Sequence, residues 1–288
     1  ILSKWRPQWV YSWTSFRELF SFGSKLLASG LLDTLYKNIY QIVIGKLFSA
    51  SSLGFYSRAR HFAEFPSSNL TGILQRVTYP VLCSIQDDEE RLASVYRRFL
   101  KLSAFVVFPM MVGLSAVSEP FIKVLLGEKW LFAATLLSVI CFSMMWYPIH
   151  AINLNLLQVK GRSDLFLRLE IIKKVIGVSV LCITIPKGLV AMCVGSIFSS
   201  LFCLVVNTYY TGKLINVGFV RQMIDLFPIL FLSLLMGTLV YAFCHYFSFS
   251  PLLALIVGSL IGFIFYVSIA KILKFAEWNE LMMIIRKK

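Results

Sequence analysis

The sequence predicts an all-α integral membrane protein with eight transmembrane helices, six relatively polar ones followed by two greasier ones. Composition is the first observation behind this. Of 288 residues, 58% are hydrophobic and only 15% charged, and the mean hydropathy is +0.77. Soluble domains sit near half apolar and a quarter charged. The second observation is a succession of apolar runs of about 20 residues, the length that crosses a hydrocarbon core at 1.5 Å per residue. The third is the distribution of the formal charge of +14. In a soluble chain that excess would point to nucleic acid, but here it follows membrane topology. The six cysteines lie in or beside apolar runs and form no Cys-x-x-Cys pair, so they read as small core residues.

Residues 1–16 are basic and aromatic, with Lys4, Trp5, Arg6, Trp9 and Tyr11, like a cytoplasmic interfacial segment. No signal peptide is visible, and the chain opens on Ile1, so an upstream portion is expected to be missing. Ser15-Phe-Arg-Glu18 fits a capping box and predicts a helix start there. The first span is 23–47 and the second 53–83, followed by the polar loop Gln86-Asp-Asp-Glu-Glu-Arg91. A third span at 99–117 leads to a short amphipathic piece, 119–130. The fourth is 133–157, ending at Lys160-Gly-Arg-Ser-Asp164. The fifth, 165–185, stops at Pro186, and the sixth is 189–210. Residues 211–226 read as a polar connector. Spans at 227–247 and 251–273 precede a basic tail. The domain boundaries expected from this are 1–16, a six-helix lobe at 17–212, and a connector, two helices and tail at 213–288.

An even number of crossings places both termini on one side. With the N-terminus inside, the cytoplasmic segments hold sixteen Lys and Arg, against Lys46, Lys123, Lys129 and Lys187 outside. That bias supports both ends in the cytoplasm.

Eight basic residues then fall within spans: Lys25, Lys37, Arg58, Arg60, Arg76, Lys173, Lys174 and Lys271. Three acids do too: Asp33, Glu64 and Glu170. Charges at bilayer depth cost about 2.5–3.5 kcal/mol each on insertion scales, so they face protein or water and mark a pathway. Each acid has a base one turn away, Asp33 with Lys37, Glu64 with Arg60, and Glu170 with Lys173 or Lys174. Such pairs also ease insertion, and Arg58, Lys25 and Lys271 sit where side chains snorkel from helix ends. The surplus of five positive charges exceeds what insertion needs and suits a phosphate or pyrophosphate head group. Ser29, Asp33, Tyr36, Lys37 and Tyr40 share one helical face; the two tyrosines suit sugar rings or ordinary membrane packing. In the second span Arg58, His61, Phe65, Ser68, Gly72 and Gln75 share a face, with Arg76 beside it. His61 is a candidate proton switch or a polar wall residue. Pro66 frees the carbonyl four residues earlier and marks a kink or hinge. No catalytic constellation, phosphate-binding loop, metal-ligand spacing or cofactor motif is present in the sequence, which points away from an enzyme.

Leu53-Gly-Phe-Tyr-Ser-Arg-Ala59, Pro66, Arg76-Val-Thr-Tyr-Pro-Val-Leu82 and Gln86-Asp87 recur in a recognisable order. Pro120, Leu126-Gly-Glu-Lys-Trp130, Gly161-Arg-Ser-Asp164 and the two-helix ending complete it. In these the chain resembles the polysaccharide (O-antigen type) flippases of the multidrug/oligosaccharidyl-lipid/polysaccharide exporter superfamily. The resemblance implies a fold of two six-helix lobes around a cavity, of which this chain is similar to the second lobe plus two extra helices. It implies alternating-access translocation of an undecaprenyl-pyrophosphate-linked oligosaccharide across the bacterial plasma membrane, for O-antigen, capsule or exopolysaccharide synthesis. Ion or proton coupling and no nucleotide are implied with it. The expected partners are that lipid-linked oligosaccharide, membrane lipids, the N-terminal lobe and other polysaccharide assembly proteins, with no nucleic acid.

On this reading Lys37, Arg58, Arg60, Arg76, Lys173, Lys174, Tyr36 and Tyr40 line the substrate path, Asp33, His61, Glu64 and Glu170 tune charge or couple ions, and Pro66 is the hinge. A drug/cation antiporter of the same superfamily is the competing reading and requires a net acidic or apolar cavity. A membrane polysaccharide polymerase or ligase requires a sizeable outer loop, and the outer turns expected here are short.

Overall fold

A computed structural model of the chain describes residues 11–247 and 249–286, all helical apart from short turns. Four long or paired helices open it: α1 (Trp13–Leu47), α2 (Ala50–Ser84), α3 (Glu89–Ala116) and the short α4 (Ser118–Leu126). After one 3-10 turn come α5 (Leu131–Met144), α6 (Tyr147–Val159) and α7 (Ser163–Thr184). The chain closes with α8 (Leu189–Ile215), α9 (Phe219–Tyr246), α10 (Pro251–Ile272) and α11 (Ala276–Arg286). Among the described residues, five helical stretches are long and apolar enough to cross a membrane: 89–116, 128–159, 189–215, 219–246 and 251–272. The protein is thus a multi-pass helical membrane protein. α1, α2 and α7 match those stretches in length and carry all but Lys271 of the charges expected within spans.

Three boundaries differ from expectation. α1 begins one turn before the expected capping box, because Ser12 holds the extended backbone of an N-cap and accepts from the Ser15 amide at 3.4 Å. Residues 1–10 of the expected interfacial segment lie outside the described residues, as does the side chain of Glu18. The fourth span is two helices, α5 and α6, broken at Met145 and Trp146. The expected connector at 211–226 is mostly helix, and only 216–218 separate α8 from α9. Asn216 makes that turn in the left-handed region (φ 56°), and Gly212 and Gly218 pack so closely that a Cβ on Gly212 would lie 3.1 Å from the Gly218 Cα.

The break between α5 and α6 follows from Pro148, which has no amide hydrogen for the carbonyl of Met144. Ser67 of α2 supplies the missing donor, its hydroxyl donating to Met144 O at 2.7 Å. Pro109 in α3 frees the carbonyl of Phe105 in the same way, and the Tyr266 hydroxyl of α10 donates to it at 3.0 Å. Side chains from neighbouring helices therefore complete the backbone hydrogen bonding that proline removes, which is what an apolar surrounding demands. Pro66 and Pro80 lie within an unbroken α2.

The polar residues that mimic a connector are buried. Gln222, fully buried, donates to the Tyr96 hydroxyl at 3.2 Å and to Val217 O at 3.0 Å, and accepts from Asn153 Nδ2 at 3.1 Å. Thr211 donates to Val217 O at 3.1 Å. One network thereby joins α3, α6, α8 and α9. On α3, Arg97 forms a two-pronged pair with Asp225 of α9 (2.6 Å each), and Arg98 and Lys101 reach Glu280 and Glu277 of α11 at 2.8 and 3.1 Å. α9 to α11 are thus fastened to the bundle along α3. A Cβ on Gly237 would meet Val112 at 2.4 Å, so a glycine is needed where α9 crosses α3.

At the end expected to face the cytoplasm, Lys160 donates to Gln86 O at 2.7 Å, joining two turns that are separated in sequence. Arg162 hydrogen-bonds Asp164 at 2.9 and 3.0 Å and holds its carboxyl down at about 2, so the pair stays charged through the neutral range.

Replacing Tyr266→Phe or Ser67→Ala strands a carbonyl in an apolar surrounding. Each is expected to cost about 1–3 kcal/mol, read as a lowered Tm of the purified protein, while a change at the exposed Arg162 leaves Tm within error.

Candidate functional site

A cavity of about 480 Å³ opens among α1, α2, α6, α7, α8 and the end of α5. Each helix presents one face to it at 3–4-residue spacing. α1 contributes Ser29, Asp33, Tyr36 and Tyr40; α2 contributes Tyr56, Arg60, Glu64, Ser68 and Gln75. α6 adds Tyr147, His150, Leu154, Asn155 and Gln158, α7 adds Glu170, Lys173 and Lys174, and α8 adds Cys193, Ser196, Ser199, Ser200 and Cys203.

The charges on this wall are paired. Lys174 bonds Asp33 of α1 at 2.6 Å and Glu170 at 3.3 Å, and its ammonium lies 4.7 Å from the centre of the Tyr36 ring. Lys173 is also paired with Glu170, the most buried of the three acids. The Arg60 guanidinium donates to Glu64 at 3.4 Å and to the Tyr56 hydroxyl at 3.1 Å. Tyr40 stacks on Tyr56 with centroids 6.4 Å apart, and Tyr36 meets Tyr40 edge-on at 5.7 Å. The α1–α7 crossing is close because residue 177 is glycine; a Cβ there would overlap the Tyr36 ring and hydroxyl.

The structure brings Asp33, Tyr36, Tyr40, Arg60, Glu64, Glu170, Lys173 and Lys174 together around this space. Arg58, His61 and Arg76 are exposed and lie off its wall. The side chain of Lys37 lies outside the described ones; Asp33 meets Lys174 across the helix interface. The face expected for α2 is rotated, with Ser68 and Gln75 kept but Tyr56, Arg60 and Glu64 in place of Arg58, His61 and Phe65. The cause is the small-residue seam Ala59, Ala63 and Ser67, which is fully buried and sets the helix's rotation. Among the described residues the wall therefore balances Arg60, Lys173 and Lys174 against Asp33, Glu64 and Glu170, so the positive surplus counted within the spans does not gather here. No group of three His, Cys, Asp or Glu could hold a metal ion among the described residues.

Comparison with known proteins agrees with this architecture. Residues 1–135 match the family model described as polysaccharide biosynthesis protein. The chain is 33% identical over 162 residues to the teichuronic acid biosynthesis protein TuaB of Bacillus subtilis (strain 168), an alignment covering 56% of this chain and 34% of that one. It is 27% identical over 204 residues to the lipopolysaccharide biosynthesis protein WzxC of Escherichia coli (strain K12), covering 71% of this chain and 41% of that one. Its fold is similar to that of the lipid II flippase MurJ in an inward closed conformation, with a TM-score of 0.71, 16% identity, and coverage of 96% of this chain and 57% of that one. The chain resembles the polysaccharide flippases. It spans between a third and half of the length of the curated relatives it matches here.

His150, Asn155 and the serines of α8 escaped sequence reasoning. Their types are ordinary in apolar helices, and only the 3–4 spacing of Ser196, Ser199, Ser200 and Cys203 on α8 hinted at a shared face. A double-mutant cycle on Asp33→Asn and Lys174→Met, read by thermal unfolding, should return a coupling of about 0.5–3 kcal/mol, whereas Arg58→Met combined with Asp33→Asn should be additive.

Proposed function

We propose that this chain is the substrate-handling lobe of a flippase that moves a lipid-linked oligosaccharide across the bacterial inner membrane, most simply an undecaprenyl-pyrophosphate-linked one. The observation that carries the proposal is an ion-paired, tyrosine-lined cavity inside an otherwise apolar helical bundle. Such a cavity is costly to keep in a membrane unless it receives a polar cargo. The names of TuaB, WzxC and MurJ, and a fold of which this chain covers 57%, support the same reading. In the full-length protein a further lobe faces this one, both termini lie in the cytoplasm, and the lobes rock about the cavity in alternating access. The protein acts as a transporter and not as an enzyme.

Arg60, Lys173 and Lys174 already have carboxylate partners, so an anionic head group binds by exchange. It takes over a cation while Asp33, Glu64 or Glu170 is released to take up a proton or a metal cation, which supplies a physical route to ion coupling. Exchange is nearly isoenergetic and therefore reversible, as release on the far side requires. His61 and the exposed Arg58 and Arg76 act, on this reading, on approach to the cavity, and Pro66 is the hinge of α2.

Alanine at Arg60 or Lys174 in the full-length protein should lower glycan export about 10–100-fold, the worth of one charged hydrogen bond of about 1.5–3 kcal/mol, with membrane expression unchanged. Wild-type export from both variants would sink the exchange reading. Topology is tested separately. In a background free of native cysteines, a cysteine replacing Lys187 should react with a membrane-impermeant maleimide in intact cells, and one replacing Arg162 only after permeabilisation.

A further inference from the structure

The cavity has a second wall with a different character. The faces that α6 and α8 turn toward it carry no Asp, Glu, Lys or Arg. They carry a relay of neutral groups instead. Asn207, almost fully buried, donates its amide to His150 Nδ1 at 3.0 Å, which leaves the proton of the neutral ring on Nε2. Nε2 then donates to the Ser200 hydroxyl at 3.1 Å, and Ser200 donates to Ser143 O at 3.5 Å. Both ring nitrogens are thus occupied, and His150 holds Ser200 on the cavity lining with one acceptor lone pair of its hydroxyl unused.

Asn155, on the same face of α6 and 5% exposed, is unfinished. Its Oδ1 accepts from Gln75 Nε2 at 3.1 Å, while its Nδ2 has no partner among the described residues. A buried amide left without an acceptor costs about 1–3 kcal/mol, and Asn155 lines the cavity, so an acceptor arriving there recovers that cost once the side chain turns its shielded Nδ2 toward it. The occupant that suits the wall presents hydroxyls, which both donate and accept, or an acetamido carbonyl, which accepts. Tyr147, on the α6 wall itself and exposed, presents an aromatic ring against which the C–H side of a sugar can pack. The volume, about 480 Å³, falls in the range of sites for small ligands.

We propose that the α6–α8 wall, centred on Asn155 and Ser200, is a subsite for the uncharged part of a glycan, a neutral hexose or N-acetylhexosamine unit, separate from the ion-paired wall of α1, α2 and α7. It rests on the flippase reading above for its biological setting, but its chemistry stands alone. The charges across the cavity are matched to one another, so discrimination here comes from neutral donors and acceptors. A site of this kind rejects an analogue that leaves its polar groups unpaired more strongly than one that only changes shape.

The test uses full-length protein in lipid nanodiscs, because sugar-headed detergents would compete, with titration calorimetry against N,N′-diacetylchitobiose and, separately, inorganic pyrophosphate. Asn155→Leu removes the amide donor without adding a charge to the cavity; Ser200→Ala removes the hydroxyl. Each should weaken the disaccharide about tenfold and leave pyrophosphate unchanged, whereas Lys174→Ala should do the reverse. Wild-type protein that takes up no disaccharide overturns the proposal. So does unchanged disaccharide binding by whichever of the two variants retains the wild-type Tm. If disaccharide binding behaves as expected while cells lacking the gene regain no glycan export from the wild-type copy, the flippase reading falls and the subsite remains.

Discussion

In a hydrocarbon surrounding no polar group can be left to water, and much of this structure answers to that constraint. Prolines in α3 and at the start of α6 release carbonyls, and hydroxyls of Tyr266 and Ser67 arrive from other helices to take them. Gln222 hydrogen-bonds through both ends of its amide to α3, α6 and α8. Asp33 and Lys174 meet across two helices. The same pairings that satisfy the constraint also hold helices to one another, so polar chemistry here is the source of specific packing, where generic apolar contact would leave rotation and register undetermined.

The constraint also divides the molecule. α9 to α11 are fixed along α3 by the Gln222 network and by three basic residues on successive positions of one face, Arg97, Arg98 and Lys101. The cavity lies on the other side, between α1, α2 and α6 to α8. Groups bound tightly to partners cluster at the first place, and charge pairs that can exchange partners line the second, with Asn155 beside them. A charge pair in a partly wet cavity is cheaper to open than a glutamine buried among four helices, and this difference in cost separates scaffold from site.

Much of this was legible in the residues. Long apolar runs, the intramembrane charges and the α1 face of Ser29, Asp33, Tyr36 and Tyr40 were all readable, because a 3.6-residue period and a 20-residue ruler are local properties. The pairs Glu64–Arg60 and Glu170–Lys173 were readable for the same reason. The α2 face was not. Its charges, Arg58, Arg60, His61, Glu64 and Arg76, lie all around the helix, so periodicity offered several rotations, and the burial of Ala59, Ala63 and Ser67 selected one. The stretch from Thr211 to Leu226 misled because Thr211, Asn216 and Gln222 have loop composition, while their partners, Tyr96 and Asn153, are distant in sequence.

What the sequence determined by itself is therefore the helical membrane class, the approximate helices and the presence of charges within long helices, since each follows from composition and local period. Tertiary structure alone decided which charges share a cavity, that the Asp33 carboxylate meets Lys174, that the wall is balanced in charge, and that His150, Asn155 and Ser200 form its neutral side. Those are facts of helix rotation and crossing. They depend on small residues such as Gly177 and Ala63 letting two particular helices approach, and on hydrogen bonds between residues fifty or more positions apart.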